Sequence, residues 1–130
     1  MFSHVMVGTN DPDRSKTFYD AVLATIGVPP GTVDKHPTKT RVFWRTKTGT
    51  FGVSTPIDGK EAHHANGGTI GFTMGSPEQA QAWHKAGVAN GGASIEDPPG
   101  IRQGAAGQMY LAYLRDPDGN KLCGLCRMPG

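Results

Sequence analysis

The chain contains two weak copies of one pattern. Asn10-Asp11-Pro12-Asp13-Arg14-Ser15-Lys16-Thr17-Phe18-Tyr19-Asp20-Ala21 lies without a gap over Gly75-Ser76-Pro77-Glu78-Gln79-Ala80-Gln81-Ala82-Trp83-His84-Lys85-Ala86, an offset of 65 in a chain of 130 residues. Pro12 then matches Pro77, Phe18 matches Trp83 and Ala21 matches Ala86. A second correspondence places Phe43-Trp44-Arg45 and Gly49 over Tyr113-Leu114-Arg115 and Gly119, at an offset of 70. Two copies of one unit restrict the fold to paired modules that bury a core together. The reading is a single domain over 1–130, with module one about 1–55, a polar linker over 56–66 and module two about 67–130.

Within each copy the pattern is strand, helix, then two or three strands. Ser3 to Val7 is rich in Val and Met and reads as a half-buried strand. Asn10-Asp11-Pro12-Asp13 supplies cap residues and a proline suited to a first helical turn, and Gly27-Val28-Pro29-Pro30-Gly31 stops the helix. Val28 to Lys39 reads as a loop, and residues 41–46 and 50–54 as a hairpin. In the second copy Ile70, Phe72 and Met74 alternate with Thr69, Gly71 and Thr73, so the large residues are expected to face a helix and the small ones an open side. Ser76-Pro77-Glu78 opens that helix and Asn90-Gly91-Gly92 ends it. Asp97-Pro98-Pro99-Gly100 reads as a loop, and Met109–Arg115 with Lys121–Arg127 as a hairpin across Asp116-Pro117-Asp118-Gly119-Asn120. A sheet covered by a helix on one face leaves the other free. Two such modules can close their free faces into a cup, the default binding site.

Composition excludes several classes. A formal charge of +2, with dispersed Lys and Arg, is no footprint for nucleic acid, which is not expected as a partner. No stretch approaches the roughly 18 apolar residues of a membrane span, and Met1 to Val7 lacks the features of a signal peptide. A cytoplasmic protein without membrane partners is the expectation. Cys123 and Cys126 form a C-x-x-C, but they fall in a strand, where residues three apart point to opposite faces, so they read as two reduced thiols and not as a shared zinc or redox site.

The ordered segments resemble the vicinal oxygen chelate superfamily, which includes glyoxalase I, extradiol dioxygenases and bleomycin-binding resistance proteins. The resemblance rests on His4-Val5-Met6-Val7, Asp11 and Phe18-Tyr19 at the start, and on Tyr110-Leu111-Ala112-Tyr113-Leu114-Arg115-Asp116-Pro117-Asp118-Gly119-Asn120-Lys121-Leu122 near the end. It implies an α+β fold of two βαβββ modules forming a cupped, barrel-like mixed sheet, and commonly a homodimer. It also implies that a divalent metal (Zn, Ni, Fe or Mn) would be held from four strand positions. By the offsets these are His4, Thr69, Cys123 and, four residues after Gly49 as Cys123 is after Gly119, Val53. Valine cannot ligate and threonine is a poor ligand, so no metal is expected; one that did bind would rest on His4 and Cys123 or recruit His63, His64 or His84.

Two functions follow as expectations. One is a small-molecule-binding protein holding an apolar or aromatic metabolite or drug in the cup. The alternative is a lyase or isomerase related to glyoxalase I, metal-assisted or using His4 and Cys123 as catalytic groups. The ligand-binding candidates are His4, Phe43, Arg45, Phe51, Val53, Thr69, Tyr113, Lys121 and Cys123. Tyr113 is expected to pair with Cys123 across the hairpin, and Phe43, Phe51 and Val53 to face the same way as His4. Lys121 or Arg45 is placed to favour a Cys123 thiolate. Arg115, the counterpart of Arg45, reaches either the cup mouth or bulk water.

Overall fold

A computed structural model describes residues 1–129. The first module runs β1 (His4–Gly8), α1 (Pro12–Ala24), β2 (Thr32–Lys35), β3 (Thr40–Thr46) and β4 (Gly49–Ser54). The second runs β5 (Ile70–Thr73), α2 (Pro77–Ala89), β6 (Ala93–Ser94), β7 (Gly100–Gly104), β8 (Gly107–Arg115) and β9 (Lys121–Arg127). Both helices start as their sequences dictate. The Asp11 carboxylate accepts from the Arg14 amide and the Ser76 hydroxyl from the Gln79 amide, each with proline in the first turn.

The sheets share one topology. Order β1-β4-β3-β2 in the first is matched by β5-β9-β8 in the second, with β6 and β7 together taking the place of β2 along β8. In both, the first strand is parallel to the last and the hairpin is antiparallel. The architecture is α+β, two curved sheets and two helices, open and not a closed barrel. Among the described residues no helix is long and apolar enough to cross a membrane.

Two segments read as loops contain strands. Residues 32–35 form β2, and β7 begins at Gly100 and runs to Gly104. Both are edge strands with little burial, so neither carries the apolar alternation by which a strand is recognised.

The modules meet through their helices. α1 packs on α2, and one apolar core joins them to the covered faces of both sheets. An aromatic file crosses the junction: Tyr19 to Phe51 at 4.7 Å, Phe51 to Phe72 at 5.5 Å and Phe72 to Trp83 at 6.3 Å between ring centroids. The second face of each sheet lies away from this core.

Candidate functional site

A cavity of about 510 Å³ opens where edge strands β1 and β5 approach each other. Val5, Trp44 and Phe51 form its wall on one module and Ile70 and Phe72 on the other, while Leu23, Ile26 and Val28 from the end of α1 close it. Its polar side chains come from Ser3, His4, the threonines at 46, 48, 50 and 73, and Gln79. The Gln79 amide is fixed by donating to the Thr25 carbonyl at 3.0 Å. His4 is exposed, with Nδ1 2.7 Å from the Ser3 hydroxyl. Gly71 and Thr73 also border the space, and a Cβ built on Gly71 meets nothing within 4 Å.

The strand registers decide which of the other candidates face together. Phe43 lies opposite Gly52, which lies beside Met6, and Tyr113 lies opposite Cys123, which lies beside Gly71. These residues occupy the open faces. Cys123 therefore corresponds to Gly52 and not to Val53. Gly119 stands two residues before Lys121, the partner of Arg115, whereas Gly49 stands directly before Thr50, the partner of Arg45. The first hairpin loop is shorter, and a slip of one residue turns a side chain to the opposite face. Val53 is accordingly fully buried in the core beside Val42, and Phe51 faces the helices with Trp44, where it also lines the cavity. Both are corrections to the expectation that they share the face of His4. Gly52 is crowded, since a Cβ on it would lie 3.0 Å from the Phe43 ring and 3.1 Å from Met6 Cε.

His4 and Thr69 keep their correspondence. His4 pairs with Thr50, and Thr69, exposed, precedes Ile70, the partner of Leu122. Arg45 is exposed and its guanidinium lies 4.7 Å from the Phe43 ring centroid. Arg115 turns back into its own hairpin, donating to the Gly119 carbonyl at 2.6 Å. His84 bonds Ser94 at 2.9 Å, with burial holding its pKa below the ordinary imidazole value. His64 lies over Gly119, and His63 lines a separate shallow cleft with Arg41, Asp58 and Glu61.

On the second sheet, Tyr113, Lys121 and Cys123 form one group with a residue that sequence reasoning missed, Glu96. The Lys121 ammonium is ion-paired with the Glu96 carboxylate and lies 5.1 Å from the Tyr113 ring centroid. Burial pushes the Cys123 thiol above its ordinary value, with the neighbouring Tyr113 phenol acting against it; Glu96 pushes it further up and Lys121 pulls it down. Burial likewise raises the Tyr113 phenol, with Cys123 and Glu96 adding to the effect. A reactive thiolate at Cys123 is thus disfavoured, even with Lys121 at hand. Nothing in Ile95-Glu96-Asp97 marks the glutamate; its place depends on a loop that only the folded chain brings over the sheet.

The structure does not join His4 to Cys123. They stand on different sheets, and no hydrogen bond connects them. Among the described residues no three His, Cys, Asp or Glu side chains gather closely enough to hold a metal ion. With glycine where a fourth strand ligand would project, and threonine at 69, the donors present do not fit a divalent metal.

Comparison with known proteins bears on this geometry. The model of the Glyoxalase/Bleomycin resistance protein/Dioxygenase superfamily matches residues 1–123. The chain belongs to this superfamily. A crystal structure of a glyoxalase/bleomycin resistance protein from Albidiferax ferrireducens T118 is 58% identical, covering 98% of this chain and 99% of that one, with a TM-score of 0.91. A glyoxalase-related enzyme from Fulvimarina pelagi is 13% identical over 98% of this chain and 88% of that one, with a TM-score of 0.72. A lactoylglutathione lyase from Agrobacterium tumefaciens is 18% identical over 97% of this chain and 92% of that one, with a TM-score of 0.65. The last two likenesses establish the glyoxalase fold alone. No functionally curated protein matches.

Proposed function

We propose that this glyoxalase-superfamily protein binds a small apolar or aromatic molecule in the cleft between β1 and β5, without metal chemistry, and that it works as a homodimer. The observation that carries the reading is a cavity of about 510 Å³ walled by Trp44, Phe51 and Phe72, beside which no donors among the described residues assemble a metal site. Ligand cavities of roughly 300–1,000 Å³ are lined in this way, by apolar and aromatic groups with a few orienting polar ones. His4 and Gln79 are placed to orient the ligand by hydrogen bonds. The separation of His4 from Cys123 gives turnover by that pair no support. The dimer is supported by the half-buried Met6 and Phe43 on the face of the first sheet that the helices leave uncovered, and by the free edges of β1 and β5.

The test uses 2-naphthol as probe, titrated calorimetrically. Saturable binding is expected, unchanged by added Zn²⁺, Ni²⁺, Fe²⁺ or Mn²⁺. Ile26→Trp, which adds bulk to the cavity lining at the end of α1, should weaken it by about tenfold or more. Sedimentation of the same samples should give the mass of two chains. Stoichiometric metal whose retention requires His4, or binding indifferent to Ile26→Trp, would overturn the reading.

A further inference from the structure

Between β6 and β7 the chain makes a detour. β6 pairs with Leu114 and Arg115 of β8, and β7 takes up pairing again at Leu111, so residues 95–99 arch past Ala112 and Tyr113. In that arch Glu96 has φ 58°, the one non-glycine residue with positive φ among those described. A glutamate has no local reason to occupy that region, which glycine or asparagine takes at less cost. It places the carboxylate on the Lys121 ammonium.

A second cation faces the same place. Arg102 pairs with Met109, which puts it on the same side of the sheet as Tyr113, and its charge reaches the Tyr113 phenol. Its guanidinium is held over Gly100 by a 2.8 Å hydrogen bond to the Pro98 carbonyl. The face therefore offers an aromatic ring, two cations and one carboxylate already seated against one of them. Lys121 and Glu96 keep 26% and 47% of their side-chain surface exposed, so the pair between them is weak and exchangeable.

We propose that this face is a binding site for planar carboxylates, in which the ligand ring stacks on Tyr113, its carboxylate takes Lys121 and Arg102, and Glu96 is an internal stand-in that the ligand displaces. The chemistry is that of a flat anion: a ring for the phenol face and a carboxylate for two cations. Once Glu96 swings out, two positive charges are left facing the ligand, which selects against neutral analogues of the same shape. The site does not rest on the apolar cleft.

Benzoate and its neutral near-isostere benzamide are the probes, followed by calorimetry and by chemical shifts at low ionic strength. Benzoate should bind in a saturable way that weakens with salt, and benzamide should not bind. Glu96→Gln should tighten benzoate by about tenfold, because the competing carboxylate is gone, and Glu96→Ala should act in the same direction. Lys121→Gln should abolish binding while Lys121→Arg keeps it. Ile26→Trp, at the end of α1 in the lining of the apolar cleft, should leave benzoate affinity unchanged while it impairs 2-naphthol. The inference is overturned if the Glu96 variants bind benzoate no more tightly than the parent protein, if benzamide binds as well, or if Ile26→Trp removes both ligands together.

Discussion

At the scale of the residue, Cys123 is governed by its surroundings more than by its own chemistry. It is 6% exposed, under Tyr113, and burial is the largest influence on its thiol. Its folded pKa is raised above that of the unfolded chain, so the thiol contributes stability at every pH below the ordinary thiol range and loses that contribution as pH rises through the folded value. Iodoacetamide at pH 8 should therefore alkylate Cys123 more slowly in the folded protein than in denaturant, by about tenfold or more. Tyr113→Phe removes the phenol hydroxyl that opposes burial and should slow the reaction further, a change that mass spectrometry of quenched samples would read. That Tyr113 and Cys123 pair was legible in the sequence, because the hairpin residues fix their register. The partner that surrounds them with charge, Glu96, was not, since its position is set by an arch between two short edge strands.

At the scale of the element, the connection between β8 and β9 is built around one carboxylate. Asp116 accepts from the Asp118 and Asn120 amides at 2.9 Å each, from Asn120 Nδ2 at 2.8 Å and from the Tyr19 hydroxyl at 2.5 Å. Every partner is a donor. Burial raises the Asp116 pKa, the largest effect on it, while these bonds favour the charged form. Asp116→Asn would replace one acceptor oxygen with an amino group facing a donor. It should destabilise the protein by about 1–3 kcal/mol although it removes a buried charge, seen as a lower urea midpoint at unchanged slope. Elements with strong local punctuation, such as this loop and the two capped helices, could be read from sequence. The parity of β4 could not, because counting from Gly49 assumed two loops of equal length, and the two-residue turn at Lys47 and Thr48 sends Val53 inward.

At the scale of the whole molecule, the repeat is closed by Asp118. From the second module its carboxylate receives Thr9 Oγ1 at 2.7 Å, the Asn10 amide at 2.9 Å, Ser15 Oγ at 3.0 Å and Arg14 Nη2 at 3.1 Å, all from the first. Asn120 adds a bond to the Gly8 carbonyl at 3.1 Å. The Asp118 side chain is 3% exposed and that of Arg14 48%. Asp118→Ala should therefore cost about 2–4 kcal/mol by stranding buried donors, whereas Arg14→Ala should cost less than about 1 kcal/mol; chemical denaturation of both variants checks the contrast. The sequence announced two modules and the aspartate-rich loop, but not that the loop of one module clasps the turn before the helix of the other, a contact between residues more than 100 positions apart. The crowding at Gly52 has a further consequence for redesign. A carboxylate grafted there alone would wedge Phe43 from Met6, so converting this scaffold to coordination chemistry has to begin by trimming position 6 or 43. The order in which the changes are introduced then decides whether the intermediates still fold.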